Sequence, residues 1–527
     1  MVKQELEKII QKALKELSIE MGSISVPHSI LSDHGDYATN VALIASKQEG
    51  KSPLQLAENI KKKIKEQNNP LLEKVEVAGP GFINFHLSLQ GIEQHVQEVA
   101  LEVGAGYQFR RAKKINIEFI SANPTGDLHI GHGRGAFFGD ALARVFSYAG
   151  AEVTREYYMN DSRQSGQIKE LGKTALGKGE QYRTEKLAQL IESINVSGKS
   201  EEEAGTVLAA LIQESNKRFI ESKLNISFDV WYSEDEKLRA TGANDVMLAK
   251  LSDKGLTYER DGAVWLKTSE YGDDEDRVVV RSDGTKSYFI SDITYHQDKF
   301  ARGFDTVIDI WGADHHGHVK RMHAAGKMLG WPQEPITQPI IFITQLVSLK
   351  EGGEVKKMSK RAGTAICLED LVDEFGIDVV RWFFAEKTLN THMEFDAALA
   401  REQSQKNPVF YVQYAHARIC SVLENVRNLE PSETTLLYAI KSGAGRALAL
   451  KLLQFPETVL EITEEFQVNK LTIYAYELAA LFSQFYHDVR VIEGDQYNRG
   501  ALLLMKITKE VLAKSISLLG ISAPERM

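Results

Sequence analysis

The spacing of apolar positions changes twice along the 527-residue chain. In residues 4–17 and 53–66 apolar side chains recur every three or four positions, which predicts two amphipathic helices. Short strand-like runs come next at 75–77 and 82–87, with Gly79-Pro80-Gly81 between them as a turn. Residues 1–110 therefore read as a small α+β domain, joined onward by a basic linker at 110–114. From residue 115 short strands at 115–120, 152–157, 306–311 and 339–342 alternate with helical stretches. Such alternation predicts an α/β fold, a Rossmann-type doubly wound parallel sheet over residues 111–385. Between about 161 and 285 the alternation gives way to charged helical sequence and then short strands such as 262–266, read as an insertion splitting the sheet's two halves. From 386 to 527 the spacing is helical throughout, as in Leu471, Tyr474, Leu478, Leu481, Phe482 and Phe485, which predicts an all-α domain.

Composition narrows the setting. A hydrophobic content of 43% with 26% charged residues is that of an ordinary globular protein, and no run approaches the roughly 18 apolar residues of a membrane span. The first helix carries acidic residues throughout, unlike a secretory signal or a transit peptide, so a cytoplasmic protein with no membrane partner is expected. Two cysteines, Cys367 and Cys420, exclude a disulfide framework and a cysteine-based zinc site. A net charge of −10 leaves nucleic acid open as a partner, because binding needs a local basic surface rather than a basic total. Lys61-Lys62-Lys63, Arg110-Arg111 with Lys113-Lys114, and Lys356-Lys357 with Lys360-Arg361 are candidates, though each also reads as a solvated face.

The chemistry concentrates in two short stretches. After the strand at 115–120 comes a turn-rich loop, Asn123-Pro124-Thr125-Gly126-Asp127, then His129-Ile130-Gly131-His132, then helical spacing from Gly133. A strand, a glycine-containing loop and a helix N-terminus make an anion site, where free N–H groups and the helix dipole meet a phosphate. The second stretch, Lys357-Met358-Ser359-Lys360-Arg361, lies more than two hundred residues on. A third group, Gly312-Ala313-Asp314-His315-His316-Gly317-His318, succeeds an apolar strand. Its histidines admit a metal reading through His315, His316 and His318, and equally nucleotide binding at the sheet's carboxyl edge.

In this order and context, His129 to His132 and Lys357 to Lys360 resemble the HIGH and KMSK signatures of class I aminoacyl-tRNA synthetases. Further stretches resemble the arginyl-tRNA synthetase family: residues 35–40 and 78–85 its N-terminal domain, Ser121 to Gly126 its approach to HIGH, 405–418 the opening of its anticodon-binding domain, and 520–527 its C-terminus. The resemblance implies an arginine–tRNA ligase that forms arginyl-adenylate from L-arginine and ATP and passes arginine to the 3′-terminal adenosine of tRNA-Arg. His129, His132, Lys357 and Lys360 would be catalytic, and Gly131, Gly312, Asp314, His318, Met358 and Ser359 would contact ATP. Glu118, Asn123, Tyr288 and Asp292 would bind arginine. Planar, permanently charged guanidinium calls for such carboxylates and an aromatic face on chemical grounds as well. Phe82 and Asn84 would meet the tRNA elbow, and Tyr411, Gln413 and Tyr414 the anticodon loop, although helix packing also accounts for the tyrosines. ATP is expected as its Mg2+ complex with no protein-bound metal, and the enzyme as a monomer. The resemblance further implies that activation needs bound tRNA. Many members of the family lack the first lysine of KMSK, which this chain keeps as Lys357. A free-standing nucleotidyltransferase would share the HxGH loop and the sheet, but it needs no domains at both ends.

Overall fold

A computed structural model describes residues 1–29, 34–107, 113–331, 339–352, 354–356, 366–426, 435–493 and 496–527. The basic linker at 110–112 and the whole of Lys357 to Arg361 lie outside the described residues.

The amino-terminal unit places helices Val2–Glu16, Val41–Glu49 and Pro53–Glu66 on a three-stranded antiparallel sheet. Strand Phe82–Leu87 is central, flanked by Leu72–Ala78 and by Tyr37–Thr39, which was not expected from the sequence. Leu6, Ile10, Ile60, Ile83 and Phe85 fill the space between the helices and the sheet. Buried Glu457 of the carboxy-terminal domain fastens this unit, accepting from Tyr37 Oη at 3.0 Å and the Lys3 amide at 3.1 Å and meeting His28 Nε2 at 2.6 Å.

At the centre is a five-stranded, wholly parallel sheet. Its order across the sheet is Ile340–Ile343, Thr306–Trp311, Lys114–Glu118, Glu152–Met159, Val230–Ser233. Counted along the chain this is 5-4-1-2-3, the doubly wound order, with the direction of winding reversing between Lys114–Glu118 and Thr306–Trp311. The edge strand Val230–Ser233 falls inside the stretch read as an insertion. Helices Gly166–Ala175, Glu185–Glu192 and Glu201–Ser222 are therefore the crossover into that strand. Only the segment after that strand, notably the antiparallel sheet of Thr257–Arg260, Ala263–Leu266 and Arg277–Val280, stands outside the doubly wound pattern.

Beyond the main sheet, Val347–Glu351 pairs with Glu354–Lys356 and, in parallel, with Met393–Asp396. The last of these corrects the expectation of unbroken helix from 386. Met393 and Phe395 are buried while Glu394 is exposed, which is the period of two of a strand. Helices Pro408–Glu424, Gly443–Glu465, Asn469–Asp488 and Arg499–Leu518 make the carboxy-terminal bundle, with one small hairpin at Ile492–Glu493 and Gln496–Tyr497. The chain end returns to the catalytic domain. Buried Arg381 donates to Asp140 at 2.8 Å, to the Leu519 carbonyl at 3.0 Å and to the Leu224 carbonyl at 2.6 Å.

Candidate active site

The first signature sits at the head of helix Ile130–Tyr148, which begins three residues earlier than its apolar spacing indicates. His129 is the N-cap. Its Nδ1 accepts from the Gly131 amide at 3.1 Å, and His132 Nδ1 accepts from the His129 amide at 3.0 Å. The two rings stack with centroids 3.8 Å apart, and a Cβ at Gly131 would lie 2.9 Å from the His129 ring. Glycine is needed there so that both histidines can fold back over the helix end. Further along the helix, Gly139 lets it press on the sheet, since its Cβ would come within 2.5 Å of Phe119.

The loop entering this helix is held by strained backbone. Ile120 and Ser121 have φ of +70° and +39°, a conformation that costs a non-glycine residue of order 1–3 kcal/mol. Three hydrogen bonds hold it: Ser121 Oγ donates to Glu118 Oε1 at 2.9 Å and accepts from the Tyr158 amide at 3.1 Å, and Asn160 donates to the Ser121 carbonyl at 2.9 Å. Beyond the loop, the Ile130 amide donates to the Ile366 carbonyl and the Leu368 amide to the Leu128 carbonyl, both at 2.9 Å. A segment a few residues past the second signature is thus bound to the first. Lys357, Met358, Ser359 and Lys360 themselves lie outside the described residues.

Two strand ends meet at the reversal of winding. Glu118 ends Lys114–Glu118 and is in register with Asp309 of Thr306–Trp311. Both are buried, and Lys299 of helix Tyr288–Ala301 lies between them, with Nζ 2.7 Å from Glu118 Oε2 and 2.6 Å from Asp309 Oδ1. His296 Nε2 meets Asp309 Oδ2 at 2.9 Å. Burial alone would raise Asp309, but Lys299 and His296 outweigh it and hold the carboxyl well below the usual range. Burial lifts Glu118, and Lys299 pulls against it.

The same helix carries two expected arginine contacts. Tyr288 is its first residue, exposed, with Oη 3.2 Å from Ser165 Oγ. Asp292 lies one turn on, with a third of its side chain open; its closest cationic candidate is His318 Nδ1 at 3.9 Å. Burial, reinforced by the Glu234 and Glu118 carboxylates and opposed by His296 and Arg321, pushes Asp292 up to about 7. His318 is itself brought down to about 4 by burial and by Arg321, so it is neutral at pH 7. Asn123 is exposed in the loop.

On the nucleotide side, Gly312 comes directly after strand Thr306–Trp311 and His318 begins helix His318–Leu329. Asp314 turns to solvent, 85% exposed, with its carboxylate 3.7 Å from His315 Nε2. Among the described residues no three histidine, cysteine, aspartate or glutamate side chains converge as metal ligands.

The expected tRNA contacts divide. Phe82 is exposed at the start of its strand, and Tyr414 is exposed beside Phe410 and Arg418. Tyr411 packs on Tyr476 with its hydroxyl 3.4 Å from Ser483 Oγ. Asn84 and Gln413 are buried instead. Asn84 is paired across to Ala38 and Glu76 in the middle of the sheet. The Gln413 amide donates to Asp378 at 2.8 Å and to the Ser522 carbonyl at 2.9 Å, spending its donors on the joint between the last two domains.

Sequence reasoning missed Lys299, His296 and Asp309, and with them Glu156, which accepts from Tyr295 Oη at 2.5 Å and from both Arg302 nitrogens. A signal existed. Asp309 interrupts the apolar run Val307-Ile308-Asp309-Ile310, and His296 and Lys299 lie four and seven positions past Asp292, on one helix face.

Comparison with known proteins fits this geometry. Residues 95–169 and 178–404 match the family described as tRNA synthetases class I (R), catalytic domain, and residues 412–527 match the DALR anticodon binding domain. Fold and site together define a class I aminoacyl-tRNA synthetase. Residues 4–87 match the arginyl tRNA synthetase N terminal domain. Arginine–tRNA ligase 1 of Halalkalibacterium halodurans is 40% identical, covering 100% of this chain and 99% of that relative. A crystal structure of a putative arginyl tRNA synthetase from Campylobacter jejuni is 32% identical, covers 84% of this chain and 100% of its own, and superposes with a TM-score of 0.73. Thermus thermophilus arginyl-tRNA synthetase, at 23% identity, shares the fold over 100% of both chains with a TM-score of 0.80. The chain belongs to the arginyl-tRNA synthetase family.

Proposed function

We propose that the crevice at the carboxyl ends of Lys114–Glu118 and Thr306–Trp311 binds L-arginine and the Mg2+ complex of ATP side by side. The enzyme is an arginine–tRNA ligase and works in two half-reactions. Arginine's carboxylate attacks the α-phosphate, giving arginyl-adenylate and pyrophosphate; a terminal adenosine hydroxyl of tRNA-Arg then attacks the adenylate carbonyl. Little covalent work falls to side chains, so positioning and charge stabilisation carry the rate. His129 and His132 meet the α-phosphate at the helix N-terminus, with Gly131 allowing close approach. Lys357 and Lys360 close over the β- and γ-phosphates as charge develops on pyrophosphate, with Met358 and Ser359 against the nucleotide. Gly312, Asp314 and His318 take the ribose and adenine. Asp292 takes the guanidinium against Tyr288, Glu118 lies below it, and the Asn123 side-chain oxygen accepts from the α-ammonium. Phe82 is the elbow contact and Tyr411 and Tyr414 are the anticodon contacts.

The observation that carries this reading is the pair of histidines capping helix Ile130–Tyr148, together with Asp292, which has no lysine or arginine within 4 Å among the described residues. Pyrophosphate exchange with each amino acid in turn, with and without tRNA, tests it. Exchange with arginine, rising when tRNA is added, is expected. Exchange with another amino acid would remove the pocket assignment.

A further inference from the structure

Of the carboxylates Glu118, Asp309, Glu156, Glu234 and Asp292, the first four carry an internal partner. Glu118 and Asp309 share Lys299; Glu156 takes Arg302 at 2.5 Å; Glu234 takes Arg239 at 2.6 Å. The geometry of His296 supplies one more cation. Its Nδ1 faces the Asp292 carbonyl at 2.8 Å and its Nε2 faces the Asp309 carboxylate at 2.9 Å. Both are acceptors, so both ring nitrogens must carry hydrogen and the ring is an imidazolium. Lys299 and His296 together then cancel Glu118 and Asp309, two charges against two. What remains is Asp292, which has no lysine or arginine within 4 Å among the described residues: neutral His318 stands at 3.9 Å, and the charges of His296 and Arg321 reach it without forming an ion pair.

We propose that Lys299 is a positioning residue for arginine recognition: from its place between Glu118 and Asp309 it cancels, with His296, the strand carboxylates, so that Asp292 is the carboxylate left without an ion-pair partner to draw a substrate cation. The inference rests on the pocket assignment made above. It assigns Lys299 no contact with substrate. Without it, Glu118 becomes a second uncompensated carboxylate below the pocket, free to draw the guanidinium away from Asp292 or to take up a proton and lose its hydrogen bond from Ser121. Both outcomes misplace the arginine, and neither touches the ATP side.

The test is a double-mutant cycle on the full-length enzyme, read by tRNA-supported pyrophosphate exchange. Lys299→Met is expected to raise the arginine KM about tenfold, within the range of couplings between contacting charged residues, with the ATP KM unchanged to within about twofold. In a Glu118→Gln background, where the charge that Lys299 offsets is already gone, the same substitution should cost less than about threefold. Equal losses in both backgrounds, or a parallel rise in the ATP KM, would overturn the proposal, since a purely structural lysine behaves that way. Should Lys299→Met alone not fold, recovery of folded protein in the Glu118→Gln background, read by thermal unfolding, is the same coupling; failure to fold in both overturns it. Asp292→Asn separates the two readings. An unchanged arginine KM there removes the pocket assignment, whereas a loss there with equal Lys299→Met effects removes only the role of Lys299.

Discussion

Arginine binding should weaken steeply as pH falls through neutrality, because the carboxyl proposed to read the guanidinium titrates there. Asp292 sits at about 7, and only its ionised form attracts the substrate cation. A raised carboxyl pKa means the group is protonated, and the site closed to the cation, below that value. The arginine KM therefore scales as one plus the ratio of proton concentration to the acid constant. That factor is about 11 at pH 6, about 2 at pH 7 and about 1.1 at pH 8, a tenfold fall across the range. The guanidinium is charged throughout. The other groups acting on Asp292 hold their charge over this range: Glu118 and Asp309 are balanced by Lys299 and His296, Glu234 by Arg239, Arg321 stays a cation and His318 is already neutral. The assay is pyrophosphate exchange at saturating ATP and tRNA, with the arginine KM taken at half-unit steps from pH 6 to 8. Asp292→Asn serves as control. It should bind arginine about 10- to 100-fold more weakly, the loss of a charge-assisted hydrogen bond, and its KM should no longer follow pH. A wild-type KM that changes less than about twofold over this range, or the same slope in Asp292→Asn, refutes the reasoning.

His129→Ala removes a helix cap and the proposed phosphate contact together, so kcat should fall about 100-fold or more while urea unfolding shows a loss of only about 1 kcal/mol. Arg381→Met leaves the Leu519 and Leu224 carbonyls without their donor while Asp140 keeps Arg144 at 2.8 Å, and should cost about 1–3 kcal/mol in the same unfolding experiment. Gly139→Val forces the first-signature helix off Phe119 and is expected to destabilise by about 1–3 kcal/mol, with a lower kcat because the histidines ride on that helix. Phe82→Ala, at an exposed position, should leave stability within about 0.5 kcal/mol and raise the KM for tRNA in aminoacylation; an unchanged KM removes it from the interface.

Contiguity decided how much was legible in the sequence. Helix Pro53–Glu66 and strands Phe82–Leu87 and Thr306–Trp311 carry their own periodicity and ends, so local pattern suffices for them. The His129 to His132 stretch is likewise one continuous strand–loop–helix, readable without its surroundings. Strand Val230–Ser233 is four residues after a long helical crossover, and it becomes a strand only by pairing with 156–159. Met393–Asp396 depends in the same way on Val347–Glu351. Resemblance alone marked Asn84 and Gln413 as RNA contacts, and local pattern could not show that both are buried, Asn84 in the central strand of its sheet and Gln413 with its amide on Asp378 at a domain joint.

The charge network beneath the crevice shows why such sites escape local reading and yet are tightly constrained. A doubly wound sheet brings the ends of its first and fourth strands together at the reversal of winding, so Glu118 and Asp309 become neighbours through a register that no local pattern states. Two buried carboxylates side by side cannot both stay ionised without cations, and here the cations come from the helix that also displays Tyr288 and Asp292. Seven residues separate Asp292 from Lys299, two turns of one face, so the geometry that neutralises the sheet also fixes where the uncompensated carboxylate stands. Selectivity for a permanently charged side chain then arises by subtraction. In the proposed pocket a neutral side chain leaves an ionised Asp292 unpaired whereas a guanidinium restores neutrality, and this discrimination grows with pH because the raised pKa makes protonation of Asp292 cheap at and below neutrality.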